Sequence, residues 1–494
     1  MFSGTLENRS QRIAERWLHW VILFCVLALC LMRFAYLRAD FPNHSPWMID
    51  QAKFTDEGWW ASAAVRHFLI GHWQVPGDYN PAAVVPVWPA LLTLVFQVTG
   101  VSIVAVRAMS VTFSIATVAL VYFLVRRYDV SPTLAALAAL LLAASSFAFA
   151  FSRLATLDTI IVFEWTLLMW AASYAGSRRV WPLLALGIGI PVMALTKTTA
   201  LVLLPAVLWL LWKKSPRAIL AVIPIAGIVI ATWLFLVLRS GYAEDFRYFF
   251  DINALAGVEI GRTGSFLLQL FQHGMWIDRV LYPAVMAALL LSLLWCRQPW
   301  RNPLFTAGWI AFLGSAVYIL RRQDDYAPRY FLVMLVPVII TLIIALQELT
   351  IRHRKLALLL AATLGVAVVL DTVQVFGFLT HRQYQFYGAA KSIQAIVDDN
   401  PSAHRLLLGT SGDQLALMVG IPAINDGYSS QGLDKKVLVY QPGWYVGWND
   451  LDQDIFNSLS AYRLDEVANF PVFDREDRDR LKLYRMVPLK EAKQ

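Results

Sequence analysis

Long apolar runs separated by short polar stretches dominate the first 380 residues. Most of these runs far exceed the four to eight residues of a buried strand. Several reach the ~20 residues that a helix needs to cross a hydrocarbon layer of about 30 Å. In order, the runs predict spans at 17–37, 101–125, 132–151, 158–175, 180–196, 198–212, 217–238, 280–296, 303–320, 329–347 and 356–379, about eleven in all. Pro182 and Pro191 interrupt the stretch near 180–212, and 87–100 is apolar but short, as a juxtamembrane helix would be. Arg33, near the far end of the first span, is expected to snorkel outward. From 381 onward the pattern changes to short alternating segments. Helices are expected at 384–399, 413–419 and 452–461, and strands at 405–409, 436–440 and 480–487. The expected fold is a mainly α-helical polytopic membrane protein (residues 1–380) with a small C-terminal soluble α/β domain (381–494).

Composition agrees with that class. The chain has 494 residues, 58% hydrophobic and 15% charged, with a mean hydropathy of +0.55. A soluble domain sits near 45–50% apolar and about 25% charged. The net charge of +8 would suit a nucleic-acid partner if the cations formed one stripe. Instead they cluster between apolar runs, at Arg9, Arg12 and Arg16, Arg126-Arg127, Arg178-Arg179, Lys213-Lys214, Arg297 with Arg301, and Arg352 to Lys355. That is the positive-inside pattern, with no nucleic-acid partner implied. It places the N-terminus in the cytoplasm and the C-terminal domain outside; only Arg321-Arg322 departs from it, beside Asp324 and Asp325. Cys25, Cys30 and Cys296 all lie in or beside apolar runs, which excludes a disulfide framework and a Cys/His zinc spacing. The first run is long and lacks a small-residue cleavage site, so no removable signal peptide is expected.

Charge at the outer junctions is the chemistry-bearing feature. A loop at about 38–100 holds Asp56-Glu57 beside Trp59-Trp60, at the start of a segment with amphipathic helical spacing. Two acids there either cap a surface helix or serve a reaction. Further junctions on the same side carry Arg153 and Asp158, Lys197, and Arg329-Tyr330. Deeper charges at Arg107, Glu164 and Asp371 read as structural pairing residues between spans. Outer cations can hold a lipid phosphate through charge-assisted hydrogen bonds, while a carboxylate takes the proton of an incoming hydroxyl. Asp56, Glu57 and Asp158 also have the oxygen chemistry to hold a divalent metal ion, so metal dependence is open. In the tail, Trp444 and Trp448 are core aromatics or a stacking surface for a sugar.

The ordered set Asp56-Glu57, Gly71-His72-Trp73, Asn80-Pro81, Val87-Trp88-Pro89-Ala90 and Arg107 resembles the first outer loop of the GT-C membrane glycosyltransferases. The branch is that of the protein O-mannosyltransferases and the bacterial lipid A aminoarabinose transferase. The Arg153/Asp158 junction, the Lys197 junction and Arg329-Tyr330-Phe331-Leu332 follow in the same order, so the resemblance covers about residues 10–380. It implies an inverting glycosyltransferase of a bacterial inner membrane. The enzyme would move one sugar from a polyprenyl-phosphate donor to a hydroxyl of a lipid, glycan or protein acceptor at the outer face. Asp56 would be the base, with Glu57 supporting or substituting for it, and Asp158 a second acid. Arg153, Lys197, Arg329 and Tyr330 would contact the donor phosphate, with Arg262 of the second outer loop closing over it. Two features depart from the family: Asn80-Pro81-Ala82-Ala83 replaces the tandem prolines of the turn, and the Trp-Trp-Asp-Tyr-Gly signature of oligosaccharyltransferases is absent. The rival reading is a flippase or transporter of polyprenyl-linked glycans. It requires charge near the bilayer midplane and on both sides, whereas the candidates here crowd one face.

Overall fold

The apolar runs fold as helices that pass back and forth along one bundle. The structure, a computed structural model, describes residues 3–42, 53–177, 179–254, 279–321, 327–427, 430–473 and 479–489. After α1 (Ser3–Met32) come two shorter helices, α2 (Asp56–Ile70) and α3 (Val87–Thr99). The bundle continues through α4 (Ile103–Arg126), α5 (Pro132–Ala144), α6 (Ser146–Arg153), α7 (Leu157–Ala172), α8 (Trp181–Thr196), α9 (Leu204–Lys214) and α10 (Pro216–Arg239). Then follow α11 (Ala243–Ala254), α12 (Leu281–Trp295), α13 (Pro303–Arg321), α14 (Tyr330–Arg352) and α15 (Arg354–Thr380). A helix therefore occupies each expected span position. Among the described residues six are long and apolar enough to cross a membrane, or seven if α5 and α6 form one bent span. Others, such as the 16-residue α8, fall short of a full crossing because the chain turns at Lys197. α14 lies at the centre, its side chains buried along nearly its whole length.

The bend between α5 and α6 is 59°, and it uses two of the deep charges. Breaking a helix within a membrane leaves carbonyls at one end and amides at the other without partners. Arg33 donates to the carbonyls of Leu142 and Ala143, each at 3.0 Å, and to Ala148 O at 3.0 Å and Ser114 Oγ at 3.2 Å. Asp371 on α15 accepts the amide of Ser146, the first residue of α6. Each charge meets the helix end that its sign favours. This corrects the expectation for Arg33: it is fully buried, because the carbonyls freed by the break hold it inward. Glu164 pairs across helices, accepting the Thr196 hydroxyl at 2.7 Å.

α15 leads into α16 (Gln385–Asp398), α17 (Gly412–Val419), α18 (Leu433–Tyr440) and α19 (Gln453–Ser458). These helices surround a sheet of β1 (Leu407–Leu408), β2 (Ala423–Ile424), β3 (Trp444–Trp448), β4 (Tyr462–Pro471) and β5 (Arg480–Pro488). The order is β2-β1-β3-β5-β4, parallel across its first three strands and antiparallel across the rest. Residues 436–440, expected as a strand, belong to α18; β-branched residues raise the strand propensity there, but burial of Lys436 and Val437 in the tertiary structure overrides it. Trp444 is buried, and Trp448 lies flat against Phe473 at 6.0 Å, so both are core aromatics. Ala61, Val65, Trp88 and Phe96 share one apolar cluster with Phe386, Leu415 and Trp444. The tail is thereby packed onto α2 and α3.

Candidate active site

α2 is sandwiched, not laid on a surface. Asp56 and Glu57 open it, where acids suit the helix dipole, yet both are buried, as is Trp59. Successive residues on a helix point about 100° apart, and the two acids accordingly face different neighbours. Asp56 Oδ2 lies 2.8 Å from a guanidinium nitrogen of Arg329. Arg329 also reaches Asp158 Oδ2 at 3.6 Å, and Lys197 Nζ lies 2.7 Å from Asp158 Oδ1. Both cations flank the ring of Tyr330, Lys197 at 5.5 Å and Arg329 at 5.2 Å from its centre. Four ionisable groups from four elements thus form one chain, Asp56–Arg329–Asp158–Lys197. The reason lies in the local breaks: Asp158 opens α7, Lys197 ends α8, and Arg329 precedes α14.

Glu57 faces the other way. Arg107 grips it with two parallel bonds, Nε to Oε1 at 2.8 Å and a terminal nitrogen to Oε2 at 2.6 Å. The Ala155 amide donates to Oε1 at 2.9 Å, and Gln414 Nε2 to Oε2 at 3.1 Å. The carboxylate is saturated and fully buried, a group built to hold position, not to exchange protons with a substrate. Arg153 is likewise not joined to the ion chain. It donates to Tyr36 O at 2.9 Å and lies over the rings of Phe149 and Phe378, each at 5.0 Å. Arg262 lies outside the described residues. Nor do Asp56, Glu57 and Asp158 converge as oxygen ligands for a metal. Arginine separates them, and no group of three or more His, Cys, Asp or Glu that could hold a metal occurs among the described residues.

The tail contributes residues that sequence reasoning missed. Gln414 accepts the Gly58 amide at 2.7 Å on Oε1 while donating to Glu57, and Trp59 Nε1 donates to Thr410 O at 2.9 Å. Gly58 permits this approach, since a Cβ there would sit 2.2 Å from the Gln414 backbone nitrogen. Two turns further along α2, Arg66 donates to Asp78 Oδ2 at 2.6 Å and Asp413 Oδ1 at 3.2 Å. Lys436 of α18 reaches the same Asp78 at 2.7 Å. Arg66 was the available signal, a cation on the buried face of an apolar helix.

Asp78 takes both cations, so Asp413 is left with one longer bond and a buried Oδ2 without a hydrogen-bond partner. Burial, only partly offset by Arg66, pushes its carboxyl up from 3.8 to about 6. Between those values the folded chain holds more protons than the unfolded one, so this group's contribution to stability is greatest at low pH. It falls as pH rises through about 6. Asp413→Asn removes that penalty. The variant is expected to gain thermal stability over the wild type by on the order of 2–3 kcal/mol at pH 7 and by little near pH 4. Unfolding temperatures of the full chain across that pH range check it; a gap that stays constant or reverses would contradict the assignment.

A family described as dolichyl-phosphate-mannose-protein mannosyltransferase matches residues 80–239. No curated protein sequence matches the chain. Among solved structures, ArnT from Cupriavidus metallidurans bound to undecaprenyl phosphate superposes with a TM-score of 0.60 at 15% identity, covering 94% of this chain and 97% of that one. Its apo state gives 0.57 at 15% identity, with the same coverage of both chains. The apo oligosaccharyltransferase of Archaeoglobus fulgidus gives 0.52 at 12% identity, covering 86% of this chain and 69% of that one. The chain shares the fold of these membrane-protein structures, and its residues 80–239 are similar to that mannosyltransferase family.

Proposed function

We propose that the chain is a glycosyltransferase that moves one sugar from a polyprenyl-phosphate donor to a hydroxyl of a lipid, glycan or protein acceptor at the outer face of a bacterial inner membrane. The observation that carries this reading is the ion chain Asp56–Arg329–Asp158–Lys197 at one end of the bundle. The two cations and two carboxylates balance, so an arriving phosphate competes with the carboxylates for Arg329 and Lys197. Asp56 is then released beside the sugar. The acceptor oxygen attacks the anomeric carbon as Asp56 takes its proton. The bond from that carbon to the phosphate oxygen breaks, and polyprenyl phosphate leaves with the bonding pair. A single displacement of this kind inverts the anomeric centre. Undecaprenyl phosphate, seen in the ArnT structure with this fold, has the chemistry of such a leaving group. Glu57, with Arg107 and Gln414, acts as a positioning residue that sets the angle of α2.

Transport is the less favoured reading, because the deep charges Arg33 and Asp371 are occupied in capping the broken helix. The deciding experiment supplies membranes with radiolabelled polyprenyl-phosphate sugars. Label should pass from the carrier to an acceptor in the wild type. In Lys197→Ala the KM for donor should rise roughly 10- to 100-fold, the worth of one charge-assisted hydrogen bond. Label that only crosses the bilayer, equally in both proteins, would replace transfer by transport.

A further inference from the structure

The opposite end of the bundle carries a second built recess. Arg127 follows α4, some 20 residues and therefore ~30 Å along the helix from the Arg107 that holds Glu57. Around it lies a cavity of about 470 Å³. Arg127, Lys214, Arg301 and Arg352 line it from four different connections, against two acids, Asp129 and Glu348. Glu348 is already engaged: it accepts the backbone amides of Arg297 and Gln298 at 3.0 and 3.1 Å and pairs with Arg352 at 3.3 Å. Those bonds fix the 297–302 loop as one wall. The charged ends of Arg127 and Lys214 lie over tyrosine rings, at 4.4 and 4.8 Å, which fixes where they stand while both residues stay exposed to an incoming anion. The Arg301 side chain makes no hydrogen bond or ion pair among the described residues and is exposed. Asn302 spends its oxygen on the Leu304 amide at 2.9 Å, leaving its amino group as a donor at the rim.

The positive-inside rule accounts for cations at this end, but not for four of them converging on one hollow. Depth identifies the ligand. Trp212, Trp295 and Trp300, beside Lys213, Cys296 and Arg301 in sequence, are 62%, 43% and 56% exposed, which is the disposition of an aromatic belt at the headgroup level. Ile351 lines the recess and is 76% exposed, an apolar flank on which an acyl chain can lie.

We propose that this recess binds the phosphate headgroup of an anionic phospholipid, with Arg127, Lys214 and Arg301 on the phosphate oxygens and an acyl chain against Ile351. The full chain in detergent, titrated with phosphatidylglycerol and followed by native mass spectrometry, should show one tightest-bound lipid. Arg127→Gln/Arg301→Gln should weaken that site by roughly tenfold or more. Arg16→Gln/Arg217→Gln, which removes the same charge from exposed positions at the same end outside the recess, should leave it intact. Phosphatidylcholine should not occupy it, and millimolar inorganic phosphate should not displace the lipid. Should the Arg127 variant fail to fold, Arg301→Glu alone, which breaks no side-chain hydrogen bond or ion pair among the described residues, should abolish the site. Equal loss in the two double variants, or retention of the lipid in Arg127→Gln/Arg301→Gln or Arg301→Glu, overturns the proposal. Displacement by inorganic phosphate overturns it in favour of a soluble anion.

Discussion

Asp56→Asn is expected to lower the rate of sugar transfer by roughly 10²–10⁴-fold while the protein still folds and reaches the membrane. The substitution keeps size and an oxygen that can accept from Arg329, but removes the charge that takes a proton. Arg329 retains Asp158 at 3.6 Å and Lys197 retains the same acid at 2.7 Å, so both cations stay in place. The loss should therefore appear in kcat, with the KM for donor little changed. That pattern separates a base from a merely structural acid, which would lower protein yield and both constants together. Transfer by Asp56→Asn at close to the wild-type rate, at equal expression, would remove Asp56 from the mechanism and with it the proposed reaction scheme.

Arg107→Ala should have the largest effect on stability, on the order of 3–5 kcal/mol. Its guanidinium makes two bonds to Glu57 and donates to the carbonyls of Leu37 and Ala39, both at 2.8 Å. Truncation leaves a buried carboxylate facing two carbonyls with no cation between them. Arg107→Lys should fall between wild type and Ala, because an ammonium cannot reproduce the planar two-pronged grip. Removing both charges in Arg107→Met/Glu57→Met should recover part of the loss, since no lone charge then remains buried. Thermal unfolding of the wild type, Arg107→Met, Glu57→Met and the double variant measures the coupling; independent, additive effects would show that the pair does not hold the loop.

The contrast between neighbouring residues shows what a reader of the chain can and cannot see. Asp56, Asp158, Lys197 and Arg329 stand out because an ionisable residue at the end of an apolar run is costly wherever the chain goes. Glu57 and Arg153 stand out equally, yet one turns to Arg107 and the other to Tyr36 and two phenylalanine rings. Helical rotation and the line of the α5–α6 break decide this, and neither is written in the local pattern. Gln414 bonds Glu57 from 357 positions away; no spacing rule reaches that far. Lys436 lies in a stretch with strand propensity, yet it is helical and buried, with its ammonium bound to the distant Asp78.

The sequence by itself determined the membrane class, where the apolar runs of the bundle become helical, the junctions that gather the candidate chemistry, and the family it resembles. Those follow from transfer free energy and charge placement, which are properties of short windows and add along the chain. Only the tertiary structure decided which carboxylate joins the ion chain of Arg329 and Lys197 and which is locked to Arg107. It alone also showed that the tail is bolted to α2. Hydrogen bonds and ion pairs require approach to about 3 Å with aligned groups, and that depends on how distant segments pack.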